Sequence, residues 1–415
     1  MPKGARSSGR ARRRAVRPAA APARSPARAL DSLRAEIRRI DAEIVTLLGK
    51  RLRTARSIGQ VKARAGLPIR DFQTEKEVRD RAAQLGRRVG IERDLVDALV
   101  GTLIEGSVRV QEEFRETSYE GARKRILIVG GRGKMGAWLA RFFHGQGHAV
   151  TTFDPAGQLE GYPSAASLDG GIAAAEVIVL ATPLESAAST LAEVVARRPR
   201  ALIVDIFSLK TPVAEIIREA VGAGSRVASI HPLFGPDAAL LSGRTLLVCD
   251  TGHRAAAREV RSYFKPTSLT LHNVSLEAHD RLMAIVLGLS HAVNLIFARA
   301  LRKTGLSFAD LRETASTTFS KQALTAIEVA AENPRLYHAI QRENRESERT
   351  LALLLESARE FAEAALSPDP RAFIDEMERD REWFDEAGSQ SSGPRGLRAP
   401  RAPRAPRGRP RGQIA

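Results

Sequence analysis

The sequence predicts an α/β fold: a doubly wound, mostly parallel sheet domain, preceded by an all-α three-helix domain and followed by an all-α C-terminal domain. Three observations carry that reading. Up to about residue 115 the apolar residues recur at steps of three and four, the period of helices buried on one side. From Arg123 the texture changes to short apolar runs separated by helical stretches, the alternation of βαβ units. From Leu276 the strand runs stop and long helical patterns take over. A chain of 415 residues accommodates two to three domains, and its 43% apolar residues are enough for their cores.

Taken in order, residues 1–29 hold nine Lys or Arg and no acid among Ala, Pro and Ser, and are expected to be a disordered basic tail. Leu33, Ile37, Ile40, Ile44 and Leu47 draw the stripe of a long amphipathic helix, with Asp31 or Ser32 as its candidate cap. Gly66, Leu67 and Pro68 break it; Glu75 to Val89 reads as a second helix and Arg93 to Phe114 as a third. These helices fill a domain over 30–117. They enclose little core alone, which predicts a dimer sharing them. Strands are expected at 125–130, 149–153, 176–180, 201–205, 226–230 and 245–248, within a domain over 123–275. Helices at 276–301, 308–331, 337–364 and 369–385 fill a substrate or dimerisation domain over 276–387. Residues 388–415, with seven Arg, no acid and a repeated Arg-Ala-Pro, form a second tail biased to polyproline conformations.

The formal charge of +17 resides almost wholly in the two tails, leaving about one net positive charge between residues 30 and 387. A nucleic-acid binder clusters Lys and Arg on a folded face, so charge argues against that class except through the tails. The single cysteine, Cys249, excludes an intramolecular disulfide and a cysteine-based metal cage. No apolar run reaches the roughly 20 residues of a bilayer span, and the N-terminus lacks the apolar core of a secretory signal. A soluble, cytoplasmic protein that does not enter membranes is expected.

Gly131, Gly133 and Gly136 directly follow the first strand run and open a helical stretch, with Lys134 and Met135 between them. In that setting the first glycine permits the tight turn, the second lets backbone approach a pyrophosphate, and the third lets helix meet strand. The helix N-terminus offers free N–H groups to phosphate. Asp154, 23 residues after Gly131, ends the second strand, where a carboxylate holds a ribose 2′-hydroxyl and repels a 2′-phosphate. A Rossmann-type domain that binds NAD is the expectation.

Two further segments sit at carboxyl ends of strands, where ligands bind in such sheets: Asp205 to Lys210, containing Ser208, and His231 to Pro236. Together with the fingerprint they resemble the prephenate dehydrogenases. With the helical module in front, residues 30–385 resemble the T-protein family, chorismate mutase fused to prephenate dehydrogenase.

The resemblance implies roles for particular residues. In the helical module Arg34, Arg51 and Lys62 match the family's cationic positions, Asp71 and Glu75 its hydroxyl-binding acids, and Ser107 and Gln111 the polar pair of its last helix. Chorismate carries two carboxylates, which Arg grips bidentately. Its rearrangement to prephenate is pericyclic and builds negative charge on the ether oxygen, where Lys62 and Gln111 would stabilise it. The Arg34 equivalent reaches the neighbouring subunit's site in the family. In the dehydrogenase module the resemblance makes His231 the base that takes the 4-hydroxyl proton of prephenate. Ser208 is a second contact to that hydroxyl, Lys210 a support for substrate or cofactor, and His291 a substrate or product-inhibitor contact. His279 also matches a family histidine, with a structural role as its rival reading. The implied sequence is chorismate to prephenate to 4-hydroxyphenylpyruvate, with NAD as cofactor, no metal, and a homodimer.

Two positions depart from the family pattern. Thr74 stands where an arginine often precedes the acid at Glu75, and Glu328 aligns with the arginine that holds the ring carboxylate. Lys321, Arg342 and Arg345 are the candidate replacements. Two alternatives follow. One is a dehydrogenase for an amino analogue (arogenate or 4-amino-4-deoxyprephenate), with a helical module that only dimerises or regulates. The other is an NAD-sensing scaffold that binds nucleic acid through the tails.

Overall fold

In a computed structural model, residues 26–389 are described, apart from 66, 68, 117, 118 and 239. The two expected tails therefore lie almost wholly outside the described residues, as do Gly66 and Pro68 of the expected break. The chain separates into two compact units, one ending at Thr54 and one beginning at Ala55.

The boundary between units falls inside the first helix, α1 (Pro26–Arg64). This helix begins before residue 30, so Asp31 and Ser32 lie within it and cap nothing, contrary to the expectation. In the first unit its apolar stripe lies bare: Leu33, Ile37, Ile40, Ile44 and Leu47 are each at least 43% exposed.

In the second unit, α2 (Phe72–Arg88) and α3 (Arg93–Glu116) pack together. Val96, Val100, Ile104 and Val108, at successive steps of four, place one apolar row of α3 against Ile69, Val78 and Ala82. Leu240, from the sheet domain, closes the same cluster.

The sheet domain alternates strand and helix: β1 (Arg125–Val129), α4 (Lys134–Gly145), β2 (Ala149–Phe153), α5 (Leu168–Ala174), β3 (Val177–Leu180), α6 (Ala187–Ala196), β4 (Leu202–Asp205), α7 (Ala214–Gly222), β5 (Val227–Pro232), β6 (Thr245–Asp250), α8 (Arg254–Phe264) and β7 (Thr270–Ser275). The order across the sheet is β2-β1-β3-β4-β5-β6-β7. Its first five members are parallel; β6 runs antiparallel to β5 and β7 parallel to β6. Successive residues of β1 and β3 enter two different cores, Leu127 and Ile178 on one face, Ile128 and Val179 on the other. Burial on both faces is why these strands read as unbroken apolar runs. The edge strand β7 has only Val274 buried, and it escaped the sequence expectation because it offers no such run.

After β7 the chain is helical: α9 (Leu276–Met283), a π-helical turn over Ala284–Leu289, α10 (Ser290–Lys303), α11 (Phe308–Glu313), α12 (Thr317–Ala330), α13 (Pro334–Glu343), α14 (Ser347–Leu366) and α15 (Arg371–Ser389). Two of the four expected helices are thus broken in two. By length and composition Leu276–Lys303 would suffice to cross a bilayer, which corrects the expectation that no stretch would. It also carries His279, Asp280 and Met283, buried in the fold.

Candidate active site

The glycine turn is built as a cradle that side chains would fill. A Cβ at Gly136 would lie 2.1 Å from the Gly130 carbonyl oxygen, and one at Gly131 would lie 2.6 Å from Thr152 Cβ. Gly130 itself takes φ +87°, a conformation natural to glycine. Gly133 caps α4 without a side chain, so the first amides of the helix, at Lys134 and Met135, stay open to an anion. Asp154 follows β2 and turns its carboxylate back to this turn. One oxygen accepts from the Arg132 amide (3.0 Å) and the other from the Ala156 amide (2.9 Å). Each oxygen keeps a second lone pair for a ribose hydroxyl. The residues present therefore fit a dinucleotide, with the glycine backbone at its phosphates and Asp154 at its ribose.

His231 is the second-last residue of β5 and is 4% exposed. Its Nδ1 is 3.0 Å from His279 Nε2, and His279 Nδ1 is 2.6 Å from Asp280 Oδ1. Asp280 in turn accepts from the backbone amides of Lys210 (2.8 and 3.1 Å) and Thr211 (2.6 Å). His231 Nε2 has no partner among the described residues. Burial, aided by His279 and the Lys210 ammonium, pushes the His231 pKa well below the ordinary histidine value. Burial also lowers His279, although Asp280 works in the opposite direction. Burial alone would raise the Asp280 carboxyl, but the hydrogen bonds from His279, Thr211 and Lys210 outweigh it and hold it below its ordinary value.

Lys210 corrects an expectation. It was expected to support substrate or cofactor directly, yet its side chain has no exposed surface. Its ammonium donates to Asp205 Oδ1 (2.5 Å) and to the Ile230 carbonyl (2.9 Å), tying the end of β4 to the residue just before His231. It braces the site from behind. Ser208, in the same loop, is half-buried and its hydroxyl has no partner among the described residues, so it is free to meet a ligand.

His291, on α10, stacks on Tyr337 of α13 with ring centroids 4.0 Å apart, and its Nδ1 is buried without a partner. Burial lowers its pKa. Glu328 is exposed on α12, as is Lys321, and Arg342 is exposed on α13. Arg345 lines a cavity of about 250 Å³ together with Thr211, Asp280 and Arg281.

The helical module holds the other expected residues. In the second unit, Lys62 donates to the Ile69 carbonyl (2.6 Å) and Glu75 pairs with Arg70 (3.1 Å). Asp71 is the N-cap of α2: it accepts from the amides of Gln73 and Thr74 and from the Thr74 hydroxyl (2.8 Å). The hydrogen bonds from Thr74 lower its pKa. Thr74, which departs from the family pattern, thus completes this cap. Ser107 returns its hydroxyl to the Leu103 carbonyl. Gln111 is buried; its amide donates to the Ser107 carbonyl and its Oε1 is left without a partner. Gly59 of α1 passes so close to Gln111 that a Cβ there would meet its Cγ at 2.9 Å. In the first unit, Arg34 is exposed beside Asp31 (3.8 Å), while Arg51 is half-buried. Seventeen residues of helix separate these two arginines, about 26 Å at 1.5 Å per residue.

Three residues of the sites were not expected from sequence. Asp280 and Asp205 are buried carboxylates, and the signal for Asp205 was a charge ending a wholly apolar strand, with Lys210 five residues on. Glu112, on α3, accepts from the Leu241 amide (2.8 Å) and so joins the helical module to the segment after His231. Burial raises its pKa.

Comparison with known proteins finds three family matches along the chain. The chorismate mutase type II family matches residues 33–112, the nucleotide-binding domain of prephenate dehydrogenase matches 163–269, and its dimerization domain matches 275–374. The T-protein of Enterobacter agglomerans is 25% identical over 359 residues, covering 86% of this chain and 93% of that protein. The T-protein of Haemophilus influenzae is 25% identical over 369 residues, covering 87% and 94%. Among solved structures, prephenate dehydrogenase from Aquifex aeolicus, crystallised with hydroxyphenyl propionate and NAD+, shares the fold. Its TM-score is 0.51 at 18% identity, covering 64% of this chain and all of that one.

Proposed function

The chain belongs to the T-protein family of fused chorismate mutases and prephenate dehydrogenases, and from that premise we propose how its residues divide the two reactions. The observation that carries the reading is the succession in one chain of a mutase match and two dehydrogenase matches, with relatives that span both. The protein converts chorismate to prephenate and then oxidises and decarboxylates prephenate to 4-hydroxyphenylpyruvate.

For the first reaction the chain need only hold and polarise, since no proton or nucleophile is involved. In the second unit Lys62 supplies a charged donor, and Ser107 and Gln111 supply polar side chains; Gln111 Oε1, an acceptor without a partner among the described residues, marks a polar group open to a ligand. Asp71 and Glu75 supply the acids toward the substrate hydroxyl, Asp71 doing so from its capping position. Arg34 and Arg51, on the helix of the first unit, are the cations the family resemblance matches to the substrate carboxylates. Stabilising charge that develops only in the transition state raises the rate without tightening ground-state binding.

For the second reaction His231 Nε2 accepts the proton of the prephenate 4-hydroxyl, and Ser208 donates to the same oxygen. Gly131, Gly133, Lys134, Met135, Gly136 and Asp154 would hold NAD, which would supply the acceptor for the hydride that leaves C4. The ring carboxylate then leaves as CO2, its electrons close the aromatic ring, and His231 returns its proton to the phenolate oxygen. Lys210 holds the His231 strand in place, and His291 lines the helical side of the site. The dimerization-domain match supports a homodimer, and the small-molecule chemistry suits a cytoplasmic enzyme.

The test is NADH formation by the purified protein. With NAD, both chorismate and prephenate are expected to give NADH and 4-hydroxyphenylpyruvate. Reduction with prephenate alone would mean a silent mutase module. Reduction with arogenate and not prephenate would overturn the substrate assignment.

A further inference from the structure

We propose that His279 and Asp280 are positioning residues that fix the tautomer of His231, keeping the proton on Nδ1 and the lone pair on Nε2. This rests on the reading of His231 as the base of the dehydrogenase. The hydrogen bonds decide it when followed from the far end. Backbone amides only donate, so the Asp280 oxygens facing Lys210 N and Thr211 N must accept. With three such bonds the carboxylate stays ionised, and the hydrogen in the 2.6 Å contact with His279 belongs to His279 Nδ1. A neutral imidazole carries one N–H, so His279 Nε2 is bare and can only accept. Its neighbour 3.0 Å away, His231 Nδ1, must therefore carry hydrogen, which leaves Nε2 of His231 unprotonated.

The reverse order needs an acid proton on Asp280 facing two backbone donors, or a second charge on a ring that is 0% exposed. The other charged groups at this point are Lys210 and Asp205, which bond each other. The Lys210 ammonium opposes a further cation here, so His279 stays neutral. When His231 takes the substrate proton, Asp280 balances the new imidazolium through the intervening ring and keeps its own charge, as the carboxylate of a Ser-His-Asp triad does. Sequence separation hid the arrangement: His231 and His279 lie 48 residues apart and meet only because α9 packs against β6 and β7, beside β5.

The deciding measurement is the ring-nitrogen spectrum of the full-length protein labelled with 15N-histidine, the His231 signals being those lost in His231→Asn. Hydrogen is expected on Nδ1 and none on Nε2; hydrogen on Nε2 would overturn the proposal. Kinetics supply the second arm. In Asp280→Asn the amide oxygen keeps the place of Oδ2, which accepts from both the Thr211 and Lys210 amides, so its NH2 takes the place of Oδ1, faces His279 Nδ1 and reverses both rings. The dehydrogenase kcat is then expected to fall about 10²- to 10⁴-fold, the scale of a wrong-tautomer substitution, with KM for prephenate and the melting temperature little changed. In His279→Gln the amide oxygen replaces Nε2 as acceptor, so the loss should stay within about tenfold. An Asp280→Asn enzyme within about threefold of the parent, or a His279→Gln enzyme as damaged as it, would overturn the proposal. A protein that does not oxidise prephenate at all would defeat the functional reading alone, because the nitrogen spectrum needs no substrate.

Discussion

As the proposed base, His231 has to be neutral to act, and its surroundings make it so over a wide range of pH. Burial is the largest cause, and His279 and the Lys210 ammonium add to it. Since the folded pKa is lowered, the base is already competent at pH values where an exposed histidine would be half protonated. The acid limb of kcat/KM for prephenate is therefore expected well below 6.5, activity rising with pH through that lowered value and level above it. Initial rates of NADH formation between about pH 5 and 8 check this. A limb centred at or above 6.5 would mean that another group controls the proton. The same ring bears on stability with the same sign. An unfolded chain binds a proton on this histidine below about 6.5 while the folded chain does not. This contribution is present above the unfolded value and lost as pH falls from there toward the folded one. His148 acts alike: burial, then Arg123 and Lys124, bring it down to about 4, so its share is lost between about 6.5 and 4.

At the scale of elements, the turn between β1 and α4 was fully legible because its requirement is local. Three glycines at fixed spacing after an apolar run state both the backbone and its ligand class. The structure adds how tight the junction is. Replacing Gly136 by Ala places a methyl 2.1 Å from the Gly130 carbonyl oxygen, a backbone atom that cannot swing aside, so α4 must move off the turn. NAD affinity is expected to fall by about tenfold or more while the mutase rate is retained, since the helix amides lose their place at the phosphates. Titration of protein fluorescence with NAD measures it; unchanged affinity would show that the dinucleotide is held elsewhere. Other elements were less legible for stated reasons. The break after α13 comes from buried Asn344, whose amide donates to the Asp280 carbonyl (2.7 Å), a tertiary bond that no local pattern announces. Lys210 reads as a support for substrate or cofactor because the resemblance implies it. Only the fold reveals Asp205 behind it. Asp280 has no local signal in the sequence, because the two amides that close around it, Lys210 and Thr211, come from the loop after β4.

At the scale of the molecule, the bare stripe of α1 and the 26 Å between Arg34 and Arg51 bear on the same question. Leu33, Ile37, Ile40, Ile44 and Leu47 form a run of exposed apolar side chains longer than an isolated soluble helix carries, which suits a helix shared between two copies. Chorismate is a small dianion, far shorter than the distance between the two arginines. Both can serve mutase chemistry only if they serve different copies of the site, Arg34 of one protomer joining Arg51 of the other. Complementation tests that arrangement. Arg34→Ala and Arg51→Ala homodimers are each expected to lose most mutase activity, because each lacks one cation in both sites. Unfolded, mixed in equal amounts and refolded, half the dimers are mixed. In those, two-fold symmetry gives one site with both substitutions and one with neither. Mutase activity is then expected to return to about a quarter of the parent value. No recovery would mean that both arginines act within one protomer's site or that one of them has no part in it. The dehydrogenase rate of the mixture serves as the measure of refolding, since neither arginine belongs to that module.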